Sequence, residues 1–333
     1  MFKITEKLQQ TAARLLESGE VEQVLGFTKG KDSYQSLPYI ATTSEEAKNL
    51  IFDLFSEKAL SKYLVQDSFQ DKKTAIVVKG CDYRGIKLML EESRISRDQI
   101  YLMGVECPGM IRKDRLKKEV GEELYKVQFE FDQDQIEATD NDGKRIILYE
   151  DVLSPFCLNC KYSTPPEAEV DLLLTGPALP KVRQDKKWTH QESFTEINEI
   201  ENMSEEEKFE YWKQQLNRCK RCYACRNACP VCTCRKCLFE RKNPDYLDAA
   251  KDQLAQHQFY HIIRAFHVSD RCVGCGECSR VCPEGIPLHL LNQKLRRDLE
   301  EFYGSYEVGI DELPTPLSHA TADEPDFYGK GAK

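Results

Sequence analysis

Cys219-Lys-Arg-Cys222-Tyr-Ala-Cys225-Arg-Asn-Ala-Cys229-Pro230 and Cys272-Val-Gly-Cys275-Gly-Glu-Cys278-Ser-Arg-Val-Cys282-Pro283 decide how the C-terminal part of this chain folds. Each run is C-x2-C-x2-C-x3-C-P, the spacing that wraps a 4Fe-4S cube. Three thiolates in a short loop reach three irons of one cube, and the fourth, just ahead of proline, points away to the other cube. The spacing therefore predicts one cube on Cys219, Cys222, Cys225 and Cys282, and a second on Cys272, Cys275, Cys278 and Cys229. Four thiols packed this tightly, twice over, give poor geometry for disulfides. Structural zinc usually takes two C-x2-C pairs, which is a different pattern from two runs ending in proline. Two cubes at close range move single electrons.

The 333 residues exceed one typical domain, so two are expected. A hydrophobic content of 41% and a charged content of 31% fit a soluble globular protein. The net charge of -9 argues against nucleic acid and anionic membrane as partners, and no apolar run is long enough to span a bilayer. Met1-Phe-Lys-Ile-Thr-Glu-Lys7 opens a charged amphipathic helix rather than a signal peptide, which predicts a cytoplasmic protein. Fifteen cysteines then imply a reducing compartment with bound metal, oxygen sensitivity and an anaerobic host.

The N-terminal part reads as alternating helix and strand. Leu8, Ala12, Leu15 and Leu16 share a helical face over residues 7–18, residues 21–27 read as a strand, and Ser44 caps a helix with Ala47, Leu50, Ile51 and Leu54 inward. Residues 74–78 form a buried strand that runs straight into a helix from Gly80 through Glu92, and residues 99–105 form another that ends near Cys107. A hairpin with an Asn141-Asp-Gly143 turn spans residues 126–148, and residues 170–174 add a strand. This is the grammar of a parallel sheet, in which ligands sit beyond the carboxyl ends of the strands, where Cys81 and Cys107 lie.

The polar, acidic stretch 184–207 reads as a linker, with Ser204-Glu-Glu-Glu207 as a helix start. Helices over 248–255, 257–266 and 288–299 surround the cysteine runs and predict an α-helical ferredoxin. The predicted fold class is thus an α/β N-terminal domain with a mainly parallel sheet, plus a mainly α-helical dicluster ferredoxin domain. The domains run over 1–183 and 208–300, joined by the linker 184–207 and followed by an extended tail over 301–333.

A second cysteine set, Cys81, Cys107, Cys157 and Cys160, lies outside the ferredoxin part. Two readings stand: a third 4Fe-4S cube above the sheet edge, or ordinary buried and incidental cysteines. Cys232, Cys234 and Cys237 extend the first run and lack a fourth ligand, which favours buried thiols near the clusters over another metal. Lys220, Arg221, Arg226, Arg235 and Lys236 surround that run, either to raise cluster potentials or as a solvated face. His257, His261 and His267 read as packing or surface residues rather than ligands.

Residues from about Leu8 to about Gly176 resemble the beta-subunit family of coenzyme F420-reducing hydrogenases and dehydrogenases. The resemblance is carried by Thr11-Ala-Ala-Arg-Leu-Leu-Glu-Ser-Gly-Glu-Val21, by Pro38-Tyr-Ile-Ala-Thr42 with Ser61-Lys-Tyr63, by Gly80-Cys81, and by Gly104-Val-Glu-Cys107-Pro-Gly109. Cys157-Leu-Asn-Cys160, Val170-Asp171 and Gly176 complete it. The resemblance implies a flavin, FAD, and a third 4Fe-4S cube on Cys81, Cys107, Cys157 and Cys160. It also implies Lys62, Tyr63, Lys79, Gly80 and Arg84 as flavin contacts by position. Two features depart from the family: the paired-glycine segment before Thr11 is missing, and Val78-Lys-Gly-Cys81 replaces Gly-x-Pro-Cys. The C-terminal part resembles the helical dicluster ferredoxins of heterodisulfide-reductase-type complexes, through Arg264-Ala-Phe-His267 and Arg271-Cys-Val-Gly-Cys-Gly-Glu-Cys278 to Ile286-Pro287.

The implied function is that of an electron-transfer subunit of an anaerobic oxidoreductase, with formate dehydrogenase, hydrogenase or heterodisulfide-reductase-like subunits as partners. The competing reading is a flavin-free ferredoxin-type wiring subunit. A cluster-based DNA-binding sensor lacks a basic recognition surface.

Overall fold

Helix α1 (Phe2–Glu17) turns Leu8, Ala12 and Leu15 inward until all three are fully buried, and Gly19, at φ 70°, closes it. In this computed structural model the described residues are 2–32, 34–121, 123–132, 135–176, 194–240, 253–311 and 315–318. The chain divides into two units, Met1–Thr189 and His190–Lys333.

The first unit is built on a six-stranded sheet. Strand β1 (Gln23–Lys29) pairs antiparallel with β2 (Ser36–Ala41) and with the short β3 (Leu50–Ile51). On its other side β1 runs parallel to β4 (Thr74–Val78), β4 to β5 (Ile100–Val105), and β5 to β9 (Leu172–Leu174). Every residue of β4 is buried, as a central parallel strand covered on both faces requires. Between β2 and β4 lie two single-turn helices, α2 (Ser44–Ala47) and α3 (Asp67–Gln70). The cap of α2 is Thr43, one residue earlier than the sequence suggests, because its hydroxyl accepts from the Glu46 N–H at 3.2 Å.

Helix α4 (Gly80–Glu91) starts two residues after β4. Helix α5 (Lys113–Val120) follows β5. The region expected to be one hairpin holds three antiparallel strands, β6 (Gln128–Phe131), β7 (Gln135–Asp140) and β8 (Gly143–Leu148), with the predicted Asn-Asp-Gly turn joining the last two. Their apolar face, Ile136, Ala138 and Ile147, packs with Leu116 and Val152 in a satellite core. Two short helices, α6 (Tyr149–Val152) and α7 (Pro155–Leu158), lead back to the strand ends.

The second unit is helical. Part of the expected linker belongs to it: α8 (Thr195–Glu201) buries Ile197 and Ile200 against Leu290, a contact hidden in the sequence by the surrounding acids. Helix α9 (Glu205–Asn217) begins at Ser204 with a reciprocal capping box to Glu207. Then come α10 (Ala224–Asn227), α11 (Leu254–His267), α12 (Glu277–Arg280) and α13 (Leu288–Tyr303). Of the helix expected over 248–255, residues 248–252 lie outside the described residues, as do 184–193 of the linker and 319–333 of the tail. The start of the tail is not free: Val308 is buried, and the Thr315 hydroxyl donates to Asp270 at 2.5 Å.

One close approach sets the strand end. A Cβ on Gly80 would fall 2.0 Å from the Tyr162 carbonyl oxygen, and the Gly80 N–H donates to the Ser163 oxygen at 3.1 Å. Only glycine lets the loop after α7 lie against the start of α4. Gly80→Ala is therefore expected to cost about 1–3 kcal/mol and to loosen the 157–163 loop. Urea unfolding followed by far-ultraviolet circular dichroism, with proteolysis at that loop, measures both effects.

Candidate iron-sulfur sites

Parallel register brings two cysteines to one level. Val78 lies opposite Gly104, so Cys81 and Cys107 each leave the sheet three residues beyond the same rung. Cys107 is buried and Cys81 half-buried, with Cys81 within electrostatic reach of both Cys107 and Cys160. Cys160 is carried in by the loop against Gly80, and its N–H donates to the Cys157 oxygen at 3.3 Å. Cys81 and Cys107 thus lie just beyond the carboxyl ends of β4 and β5, Cys160 is within electrostatic reach of Cys81, and Cys157 stands on α7.

Beneath them sits a fully buried ion pair. Lys79 Nζ lies 2.8 Å from Asp82 Oδ2, donates to the Lys58 oxygen at 2.9 Å and sits over the Phe27 ring at 4.9 Å. Asp82 Oδ1 accepts from the N–H of Leu60 at 2.9 Å and of Ser61 at 3.3 Å. Burial acts to lower the Lys79 pKa, but the Asp82 carboxylate and the Cys81 sulfur outweigh it and the net shift is upward. Burial, then Asp82, push the Cys81 thiol well up, so metal ligation at this sulfur would have to drive a proton off.

The residues proposed as flavin contacts are placed as follows. Lys79 points inward into its ion pair, Gly80 is the packing point, and buried Arg84 holds its guanidinium 5.1 Å from the centre of the Tyr162 ring. Lys62 and Tyr63 are half-buried on the 3-10 turn Ser61–Val65, with Tyr63 edge-on to Phe69.

In the second unit the two cysteine loops repeat one backbone solution. Arg221 and Tyr223 stand at φ 47° and 59°, and Gly274 and Gly276 at the matching places of the second run stand at φ 68° and 73°. Looping C-x2-C-x2-C around one centre demands two left-handed residues, and the first loop meets that demand without glycine, at about 1–2 kcal/mol per residue. Tyr223 is held there by an edge contact with Tyr260 at 5.4 Å and by Arg226, 4.9 Å from the centre of its ring.

The predicted exchange of the fourth cysteine has a geometric counterpart. A single cleft, about 330 Å³ of non-atom space and partly open to solvent, is lined by Cys219, Cys222, Cys225 and Cys282, together with Tyr223, Tyr260, His261 and Pro283. Cys229 lies instead within electrostatic reach of Cys272 and Cys278. Cys225 and Cys278 also feel one another, so the two sets are adjacent. Four sulfurs converging on one opening from two loops is the donor set and arrangement that a 4Fe-4S cube takes, and the residues fit that group. Burial pushes the thiols of Cys219, Cys225 and Cys272 upward and that of Cys278 to about 12, so ligation here too releases protons.

Several groups reach the sulfurs that the spacing did not reveal. The Arg221 N–H donates to Cys219 Sγ at 3.3 Å, and His261 Nε2 lies 3.2 Å from the same sulfur. Burial, with Arg264 and His257 adding to it, lowers the His261 pKa to about 3, so the ring is neutral. The Tyr260 hydroxyl is 3.8 Å from Cys225 Sγ, and Asn292 Nδ2 is 3.8 Å from Cys278 Sγ. Arg264 is buried, and its Nη2 donates to the Cys225 oxygen at 3.0 Å. For Tyr260, His261 and Arg264 the one legible signal is α11 itself, where Arg264 is the single Lys, Arg, Asp or Glu of the helix.

Of the leftover cysteines, Cys234 is exposed and Cys232 and Cys237 are half-buried. Arg226 bonds Cys237 and pairs with Glu240 at 2.7 Å, while Lys220, Arg235 and Lys236 are exposed. His257 is buried, in line with packing, and so is His261.

Comparison with known proteins agrees with this reading. Residues 215–286 match the family described as 4Fe-4S dicluster domain. Over 357 residues the chain is 26% identical to the F420-dependent formate dehydrogenase subunit beta of Methanocaldococcus jannaschii, covering 91% of each protein. It is 26% identical over 361 residues to the F420-dependent formate dehydrogenase 1 subunit beta of Methanococcus maripaludis, covering 91% of this chain and 90% of that one. A chain of the F420-reducing [NiFe] hydrogenase complex of Methanosarcina barkeri aligns at 17% identity with a TM-score of 0.37, over 48% of this chain and 62% of that one. The resemblance read from the sequence is thus borne out, and the match to the dicluster domain supports 4Fe-4S clusters in the second unit. No helix among the described residues is long and apolar enough to cross a membrane.

Removing Asp82 would leave Lys79 buried without its counter-charge. Asp82→Ala is expected to destabilise the first unit by about 3–5 kcal/mol, read from its denaturant midpoint against that of the second unit.

Proposed function

We propose that this chain is the iron-sulfur electron-transfer subunit of an oxidoreductase complex of the formate dehydrogenase or hydrogenase type, working in the cytoplasm of an anaerobe. The observation that carries the reading is the single cleft lined by Cys219, Cys222, Cys225 and Cys282, with Cys229 turned to the other set. The relatives covering nine-tenths of the chain are named as beta subunits of F420-dependent formate dehydrogenases, which supports a formate-oxidising partner subunit and a deazaflavin at the other end of the route.

When bound, each cube takes up and returns one electron, and a bound FAD exchanges a two-electron hydride for single electrons. The residues of this chain do the rest. The eight cysteines of the two runs hold two cubes, and Cys81, Cys107, Cys157 and Cys160 hold a third beyond the sheet. N–H groups and polar side chains aimed at sulfur, from Arg221, His261, Tyr260 and Asn292, draw off thiolate charge and favour the reduced form, while burial opposes it. The Lys79–Asp82 pair fixes the backbone ahead of Cys81 and adds little net charge there.

The inward aim of Lys79 favours a second reading for the first unit, a wiring module without flavin. Composition separates the two. Protein prepared without oxygen is expected to hold about twelve irons with matching acid-labile sulfide, and Cys157→Ser to hold about eight. Acid release of one flavin per chain selects the flavoprotein, and a colourless supernatant selects the wiring module. An anaerobic preparation without iron would refute both.

A further inference from the structure

We infer that Arg264 is the shared counter-ion of the two cubes in the second unit and sets both of their potentials at once; the inference rests on the two-cube reading above. The side chain is 4% exposed and stands on α11, whose remaining residues carry no formal charge apart from histidine. Its guanidinium lies within electrostatic reach of Cys225, of the first set, and of Cys229 and Cys278, of the second. Its hydrogen bond to the Cys225 carbonyl fixes it at the first set, and Cys278 of the second set packs in the same buried cluster as Cys225.

Its partners are few. Nη2 is bonded to the Cys225 carbonyl, Nε has no hydrogen-bond partner, and no ion pair to a carboxylate is recorded for it among the described residues. A buried guanidinium lacking a carboxylate is costly unless another negative charge stands close. The thiolates of a cube, and the cube itself, supply that charge. Lys79 in the first unit differs, because Asp82 already neutralises it.

The consequence is electrostatic. Reduction adds one electron, and so one negative charge, to a cube. A fixed cation close to both cubes lowers the free energy of each reduced form. Because the charge is fixed, it moves both potentials in the same direction and leaves the repulsion between the two added electrons unchanged. Arg264 is a positioning residue for charge, and it takes no electron and gives up no proton.

The test is an electron-paramagnetic-resonance redox titration of the full-length, anaerobically loaded protein, in which the two adjacent cubes are recognised by their magnetic coupling. Arg264→Gln is expected to shift both midpoints downward by at least tenfold in the reduction equilibrium, about 59 mV for one electron, with unchanged iron content. Arg264→Lys, which keeps the charge and loses the planar fork, is expected to restore most of that shift. A change confined to one cube, or none in a fully loaded Gln variant, overturns the inference. If the Gln variant fails to take up iron, a Lys variant that loads with near-wild-type midpoints shows the same need for charge, and failure of both makes Arg264 a packing residue and overturns it. Wild-type protein without the coupled pair would instead refute the two-cube reading.

Discussion

The exchange of one cysteine between two loops is the constraint on which the second unit depends. Cys282 closes the cleft formed by Cys219, Cys222 and Cys225, and Cys229 completes the opposite set. The cleft is therefore built from both loops. The core shows the same dependence: Cys219, Cys225 and Cys278 are members of the cluster formed by Leu216, Phe239, Tyr260, Ile286 and Leu288. The first loop also holds two left-handed, non-glycine residues, Arg221 and Tyr223, where the second loop has glycine.

The first unit reaches a comparable result by other means. Here the cysteines are spread along the chain, and the parallel register of β4 and β5 collects Cys81 and Cys107. The absent side chain of Gly80 admits the loop that carries Cys160. Register and a close backbone approach thus do in the first unit what sequence spacing does in the second, which is to bring cysteines from one region of the fold near one another.

The two units also handle buried positive charge differently. Lys79 is locked to Asp82, so its field is largely cancelled a short distance away. Arg264 has no such partner, and its field falls on the surrounding sulfurs. In a protein of net charge -9, the buried and carboxylate-free Arg264 is a local exception to the overall balance.

The sequence alone determined the ligand spacing and most element types, because both are local, although the helix expected through Leu50 and Ile51 is a single turn, α2, followed by strand β3. Residues 74–78 are an uninterrupted apolar run with β-branched members, and the observed strand matches them. The Ser204 cap was legible from its own four residues. Strand β2 was not, since Pro38 and a mixed pattern mask an edge strand, and α8 was hidden because only its two isoleucines face a core made by distant Leu290. Tertiary structure alone decided that Lys79 turns inward, that the 157–163 loop seats on Gly80, and that His261 and Arg264 face the cysteines. Those facts depend on which surfaces meet across long stretches of chain, and a side chain's spacing along its own helix carries no record of what that helix will pack against.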